Sequence, residues 1–593
     1  MLKRRNLSQS VADLRTAGRL GMLLFSNHHA LDGWQWSGNP AAVAEILDLN
    51  AMPLAYLRGK SDPVLSPLVE SIEFVGELAK HEKKYDQWKQ AFGKVKDAFL
   101  CNSVKYVFIK SPSLFPYTSG NLDVMVMEKD FSKAANLLEK TGFIELKNIR
   151  ESHKYLYKEF DCGKEVVAIH LHGRVCWGAT FVDPDAPWAR IDDRLFDDVV
   201  YPLSAEDCLL TTLAHSFYEN SAIRLLDLCI VKELVGGGEV DWQYLRDTAR
   251  LHNWGDGFHL SVLAYARLNE EVFGGPLVPQ DVLNDARRFT GQRIFLRRIA
   301  VKLEHASLTL PFYLPLLTSK LVAYKKIWQS NEFGGVHRRT WHVVKMLFEV
   351  LVVHILKVNP QVGMLVSLSG TDGGGKTAHA HALEEAFHRC GLNAHCLWTR
   401  AGSQRGFSSF AKMISRRSAK SNVSKDQYEA AARFQRTSRL LSARWRRIPW
   451  KIANVVDYCV FYNLMLRWQL LRRQIVICDR YVPDIFVDLH AYVQERPKRI
   501  WLAVLSSFLP RPALSFLLVT PDDIALQRSR DPVCMEFLQR QTELYSLIQQ
   551  PLKLKIVDNG SRGFRDVCNE LTSQVLHEYY SGKCVWFGWD QKI

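Results

Sequence analysis

The segment Gly370-Thr371-Asp372-Gly373-Gly374-Gly375-Lys376-Thr377 constrains this chain more than any other stretch of its length. It has the spacing G-x-x-x-x-G-K-[ST], with an apolar strand-like run, Met364–Leu368, before it and a helix-forming run, Ala378–Cys390, after it. Glycines let backbone N–H groups approach phosphate oxygens with no Cβ in the way. The helix that follows turns the positive end of its dipole toward the same anion. In such a pattern Lys376 is expected to reach the β- and γ-phosphates, and the Thr377 hydroxyl is the expected Mg²⁺ ligand. The loop implies a nucleoside triphosphate but not what is done with it.

The surroundings of the loop set the expected architecture. After Pro360 strand-like runs alternate with helical ones, as in a parallel sheet with crossovers: Met364–Leu368, Ala394–Leu397, Ile475–Cys478, Ser515–Val519 and Lys555–Val557. Before it, residues 1–100 read mainly as helices, including Ala41–Leu49 and Pro67–Phe99. Strand-like Tyr106–Ile109 and Leu122–Met127, a helix Phe131–Thr141 and a strand Glu165–Leu171 follow. From Ser204 to about His354 the pattern is helical, broken at Gly236-Gly237-Gly238 and Gly274-Gly275-Pro276. The main boundary is expected between about 335 and 360. The parts are then a helical region 1–74, an α+β domain with a helical extension 75–290, a helical linker 291–360 and the α/β domain 361–593.

Composition narrows the class. With 593 residues, 47% hydrophobic and 23% charged, the chain has apolar material for more than one core, which excludes wholesale disorder. Its twelve cysteines contain no C-x-x-C pair, which argues for reduced thiols in the cytoplasm and against a zinc site on paired cysteines. No run of eighteen apolar residues exists, so no membrane span is expected. Ile500–Thr520 is interrupted by Pro510-Arg511-Pro512, and Leu308–Val322 carries two prolines and a lysine. The basic start Met1-Leu2-Lys3-Arg4-Arg5 reads as the lead-in to an amphipathic helix. The net charge of +15 lies almost wholly between Arg400 and Arg473, where 17 Lys and Arg face only Asp426, Glu429 and Asp457. That segment is either a solvated helical face, a partner for small-ligand phosphates, or a surface for nucleic acid or membrane.

The C-terminal motifs, taken together over about 363–580, resemble the thymidylate kinase family of nucleoside-monophosphate kinases. Asp372 matches the acidic residue that family carries in its loop. Thr399-Arg400-Ala401-Gly402 looks like its T-R-E-P-G, without the Glu and Pro. Asp479-Arg480-Tyr481 matches D-R-[YFH] directly after a strand. Ala525-Leu526-Gln527-Arg528-Ser529-Arg530 and the helix through Tyr545 are similar to the lid and its following helix. The resemblance implies an α/β P-loop kinase domain, a doubly wound parallel sheet with a helical lid. It implies ATP and Mg²⁺ as cofactors, a small-molecule phosphate acceptor, and dTMP to dTDP as the reaction. ATP would sit on Gly370, Thr371, Asp372, Gly373, Gly374, Gly375, Lys376 and Thr377. Mg²⁺ would be held by Thr377 and Asp479, and the acceptor by Arg400, Arg480 and Tyr481. Lys376, Asp372, Asp479, Arg480, Arg528 and Arg530 would serve the transfer. A homodimer stays open.

The chain also departs from that pattern. Asp484 stands where the family usually has Ser, and 403–473 matches its thymine-reading helices poorly. Two rival readings therefore remain: a kinase of another small metabolite on the same fold, and a nucleotide-dependent regulator or nucleic-acid binder using the basic segment. His379, His381 and His388, on the helix after the loop, read as surface or core residues rather than metal ligands.

The N-terminal half resembles minimal nucleotidyltransferases of an uncharacterised branch, over roughly 75–290. Lys110 and Tyr117-Thr118-Ser119-Gly120-Asn121-Leu122-Asp123 are similar to their G-D-x-D strand, and Ile169-His170-Leu171-His172 to their third strand. Leu203-Ser204-Ala205-Glu206-Asp207, His215 and Leu225-Leu226-Asp227 resemble a helical extension. Active members place three carboxylates around two Mg²⁺. Here Asn121, Asp123 and His170 occupy those places, so the resemblance implies the fold with impaired transfer chemistry.

Overall fold

In a computed structural model of the chain, residues 9–22, 39–50, 52, 72–109, 121–146, 154–177, 179–191, 203–238, 240–314, 316–349, 362–398, 427–493, 497–529 and 533–581 are described. The chain divides into two compact units. One is Met1–Lys158 with Val166–Leu356, and the other is Lys357–Ile593 with the short segment Glu159–Glu165.

In the first unit five strands form one sheet: β1 (Tyr106–Phe108), β2 (Asn121–Val126), β3 (Ile144–Leu146), β4 (Lys154–Asp161) and β5 (Lys164–His172), in the order β1-β2-β5-β4-β3. β2 and β5 run parallel at its centre, with Asp123 opposite His170 and Met125 opposite His172. Because side chains alternate along a strand, the two faces separate cleanly. Leu122, Val124, Val126, Ile169 and Leu171 bury one face against Phe92, Phe99 and Leu138 of the helices Ile72–Cys101 and Phe131–Lys140. The other face carries Asp123, His170 and His172, and beside them Met125 joins the core of the helices that follow. That helical part includes Ala205–Ala214, Leu225–Gly236 and Gly255–Phe273, and a two-stranded pair, β6 (Ala222–Ile223) with β7 (Phe312–Tyr313). β3 and β4 were not expected from the sequence. β3 is an edge strand and β4 lies between it and β5, and the interspersed Lys, Tyr and Glu of Lys154–Asp161 hide a strand that is only half buried.

In the second unit β8 (Met364–Gly370), β9 (Ala394–Trp398), β10 (Ile475–Asp479), β11 (Leu514–Val519) and β12 (Lys555–Asp558) make a sheet in the order β12-β11-β8-β10-β9. Every pairing is parallel. β8 and β10 are buried at each position because helices cover both faces of the sheet, which is why they read as mainly apolar runs without polar alternation. Leu365, Val476, Cys478 and Leu517 face one layer, with Ile485, Leu505 and Leu544 of the helices Val482–Ala491, Arg499–Phe508 and Met535–Gln549. The helices Lys376–Arg389 and Phe564–Ser581 meet one another through Phe387 and Tyr579. The strand order reverses on either side of β8, which puts the glycine loop at the carboxyl end of the central strand, the crevice where open α/β sheets bind ligands. Among the described residues, no helix is long and apolar enough to cross a membrane.

Candidate active site

The loop leaves β8 at Gly370 and is packed so closely that glycine is required. A Cβ on Gly373, at φ 84°, would stand 2.0 Å from the Ala525 carbonyl oxygen. Gly375, at φ 76°, caps the helix Lys376–Arg389, and a Cβ there would come within 2.8 Å of Asn559 Nδ2. Lys376 is buried, and its Nζ donates to the carbonyls of Gly370 and Thr371, both at 2.8 Å. Burial pushes its pKa down, Arg480 adds to that, and Asp372, Asp484 and Asp479 oppose it.

Neighbouring strands deliver the remaining groups. Asp479 ends β10, opposite Leu368 of β8, and its Oδ2 accepts from Thr377 Oγ1 at 2.5 Å. Burial raises the Asp479 pKa, against the Thr377 hydrogen bond and the charges of Lys376 and Arg480. Its second oxygen, Oδ1, is buried and has no hydrogen-bond partner among the described residues. A buried, unsatisfied carboxylate oxygen beside a threonine hydroxyl is an all-oxygen donor set of the kind Mg²⁺ takes. The residues present therefore fit the expected ion.

Arg480 follows with φ 84°, a left-handed conformation that costs a non-glycine residue about 1 kcal/mol or more. Its N–H donates to Leu368 O at 3.0 Å, and its guanidinium pairs with Asp372 inside the loop. Both side chains are buried. Burial alone would lower the Arg480 pKa, but Asp372, Asp488 and Asp484 outweigh it and hold the group above its ordinary value. The loop is thus tied to the end of β10 by two links, Thr377 to Asp479 and Asp372 to Arg480.

Tyr481, expected at the acceptor, is 1% exposed, stands against Tyr462, and donates its hydroxyl to Pro510 O at 2.7 Å. Its backbone N–H is capped by Asp484 Oδ2 at 3.0 Å, so the residue begins the helix Val482–Ala491 and its ring belongs to the core. Arg528, expected in a lid, ends the helix Asp522–Arg528 and donates to Asn559 O at 3.0 Å, at the rim of the loop. Arg400 and Arg530 lie outside the described residues, as do Lys110, 117–120, 399 and 401–426. Of the basic segment, Arg447 and Lys451 are buried rather than solvated, while Trp445 and Trp468 are exposed.

Three residues that the sequence did not single out complete the loop. Asn559, just past β12, donates from Nδ2 to Gly374 O at 2.9 Å and accepts from His379 Nε2 at 3.1 Å. Gln541 accepts from the Asp372 N–H at 3.2 Å. Tyr545 sets its hydroxyl within 2.9 Å of Gly370 O and 2.8 Å of Asp484 Oδ1, which gives the unusual acid at 484 a bracing role. Only Asn559 had a signal: it stands at the carboxyl end of a strand, in the turn Asp558-Asn559-Gly560. His379 is buried and stacked on Phe564, His388 donates to Ala394 O at 2.9 Å, and His381 is exposed beside Glu384.

In the first unit, Asp123 and His170 are brought together with a third residue, His172. His170 Nδ1 and His172 Nε2 each lie 3.1 Å from Asp123 Oδ1. Asn121 is the first residue of β2.

Comparison with known proteins finds two distinct similarities. A family model described as an uncharacterised nucleotidyltransferase matches residues 118–269. A "Probable thymidylate kinase" of Pyrococcus abyssi (strain GE5 / Orsay) is 28% identical over 224 residues, covering 36% of this chain and 97% of that protein. One of Pyrococcus horikoshii (strain OT-3) is 29% identical over 228 residues, again 36% and 97%. A solved thymidylate kinase from Candida albicans aligns with 16% identity and a TM-score of 0.25, covering 36% of this chain and 89% of that one. The chain therefore has two parts, one similar to an uncharacterised nucleotidyltransferase family and one similar to thymidylate kinases.

Proposed function

We propose that the second unit transfers a phosphoryl group from ATP to a nucleoside monophosphate, with dTMP as the acceptor and dTDP as the product. The observation that carries this reading is the joining of the loop to β10 at the sheet's ligand crevice, through Thr377–Asp479 and Asp372–Arg480. The choice of acceptor draws on the printed names of the two Pyrococcus relatives.

Phosphoryl transfer asks a protein mainly for positioning and for neutralising charge. The loop N–H groups and the start of the helix Lys376–Arg389 would cradle the triphosphate. Lys376, now spanning two loop carbonyls, would turn its ammonium to the β- and γ-phosphates. Thr377 and Asp479 would hold Mg²⁺, which neutralises phosphate charge when bound. Arg480, paired with Asp372 at the end of β10, would present its guanidinium charge to an acceptor phosphate. Arg400, Arg528 and Arg530 would complete the positive surround.

An ATP-consumption assay of the full chain across nucleoside monophosphates and sugar phosphates tests the reading. Turnover confined to dTMP, and lost in Lys376→Ala with the fold intact, is the expected result. Turnover with a sugar phosphate alone moves the acceptor to another class, and turnover retained in Lys376→Ala overturns the site.

A further inference from the structure

The parallel pair β2 and β5 holds a donor set, one carboxylate and two imidazoles, that differs from the three carboxylates of an active transferase and plays no part in the kinase reading. We propose that Asp123, His170 and His172 bind one borderline divalent transition-metal ion, of the Zn²⁺ or Co²⁺ class.

The positions follow from register. Asp123 sits directly opposite His170 across the pair, and His172 is two residues further along β5, on the same face. Strands in register hold side chains more rigidly than a loop can, so the three donors need little rearrangement. Nδ1 of His170 and Nε2 of His172 each stand 3.1 Å from Asp123 Oδ1, and all three donor atoms lie within 4.8 Å of one another. Ligand bonds of about 2.0–2.2 Å need neighbouring donors about 3 Å or slightly more apart. Two of the three separations already meet that value. The imidazole planes cross at 83°, so the rings do not stack. His172 is fully buried, whereas His170 and Asp123 are 14% and 12% exposed, which leaves a side for water or a substrate atom as a further ligand.

The donor types select the ion. Two imidazoles and one carboxylate suit Zn²⁺, Co²⁺ and similar ions, whereas Mg²⁺ prefers oxygen alone and keeps its waters. Two Mg²⁺ would need carboxylates on more than one strand, and β5 offers histidine in place of acid. One carboxylate and two neutral imidazoles instead leave a net charge of +1 on the loaded site. Among the described residues this is the one cluster of histidine, cysteine and acid side chains with such spacing.

The test uses the full chain, stripped with a chelator and titrated with Co²⁺, then competed with Zn²⁺. The expected result is one Co²⁺ per chain, with visible d–d bands and no near-ultraviolet thiolate band. Millimolar Mg²⁺ should not displace it. His170→Ala and Asp123→Asn should each weaken binding about 100-fold or more while far-UV circular dichroism is unchanged. Should a variant fail to fold, X-ray absorption of the Zn²⁺-loaded wild type gives the same answer: imidazole and oxygen scattering without sulfur supports the site. Absence of Co²⁺ and Zn²⁺ binding, sulfur in the coordination shell, displacement by Mg²⁺, or equal affinity in the folded variants overturns it and leaves a hydrogen-bonded His–Asp–His cluster.

Discussion

Replacing Arg480 with alanine isolates the link between the phosphate loop and β10. The Arg480–Asp372 pair is buried, with side-chain exposures of 9% and 5%. Removing one partner of such a pair strands the other charge in a poorly solvated place, at a cost of about 3–5 kcal/mol. Alanine keeps a Cβ, so the left-handed backbone at φ 84° remains as unfavourable as before and does not confuse the comparison. For a unit of this size about 2–4 °C accompanies each kcal/mol, so the melting temperature should fall by about 6–20 °C. Differential scanning calorimetry reads this. The relevant transition is the one that ATP shifts upward, since a ligand stabilises only the unit that binds it. Adding Asp372→Asn removes the stranded charge, so the double variant should melt above Arg480→Ala alone, a coupling that a double-mutant cycle measures. Equal melting of Arg480→Ala and wild type, or simple additivity of the two substitutions, would refute a buried pair that holds the loop.

Other outcomes follow from the same physical terms. Asp479→Asn should abolish Mg²⁺-dependent turnover, by about 100-fold or more, while leaving the melting temperature at neutral pH equal or higher. Burial raises the Asp479 pKa, so its ionised form costs stability that a neutral amide does not, and a lower melting temperature with normal kcat would contradict this. His259, buried on the helix Gly255–Phe273 with its ring against that of Phe289, has its pKa pushed down from 6.5 to about 4 by burial. The fold keeps this ring neutral while the unfolded chain takes up a proton, so the first unit is fully stable on this account above about pH 6.5. It should lose about 3 kcal/mol as pH falls toward 4. Urea unfolding of His259→Gln across that range should show a flatter pH dependence than wild type; an unchanged slope would remove His259 as the cause.

The sequence by itself determined the elements whose signals are local. The loop Gly370–Thr377 declares itself because its glycines, lysine and threonine lie within eight residues, and β8, β10 and β11 declare themselves because burial on both faces makes them mainly apolar. The short edge strand β3 and its neighbour β4, whose Lys, Glu and Asp break up the apolar pattern, escaped notice. What only the tertiary structure decided is which distant residues meet. Thr377 and Asp479 are 102 residues apart in the chain, Asp372 and Arg480 are 108 apart, and Gly374 and Asn559 are 185 apart. The D-R-Y motif was visible as three letters, yet strand alternation and the helix start after it sent Asp479 to the threonine, Arg480 to the loop and Tyr481 into the core. In the first unit His172 looked like one more residue of a strand until the register of β2 and β5 set it against Asp123. Side-chain periodicity is written in the sequence, but strand order and register are long-range choices made by packing, and the sites are assembled from them.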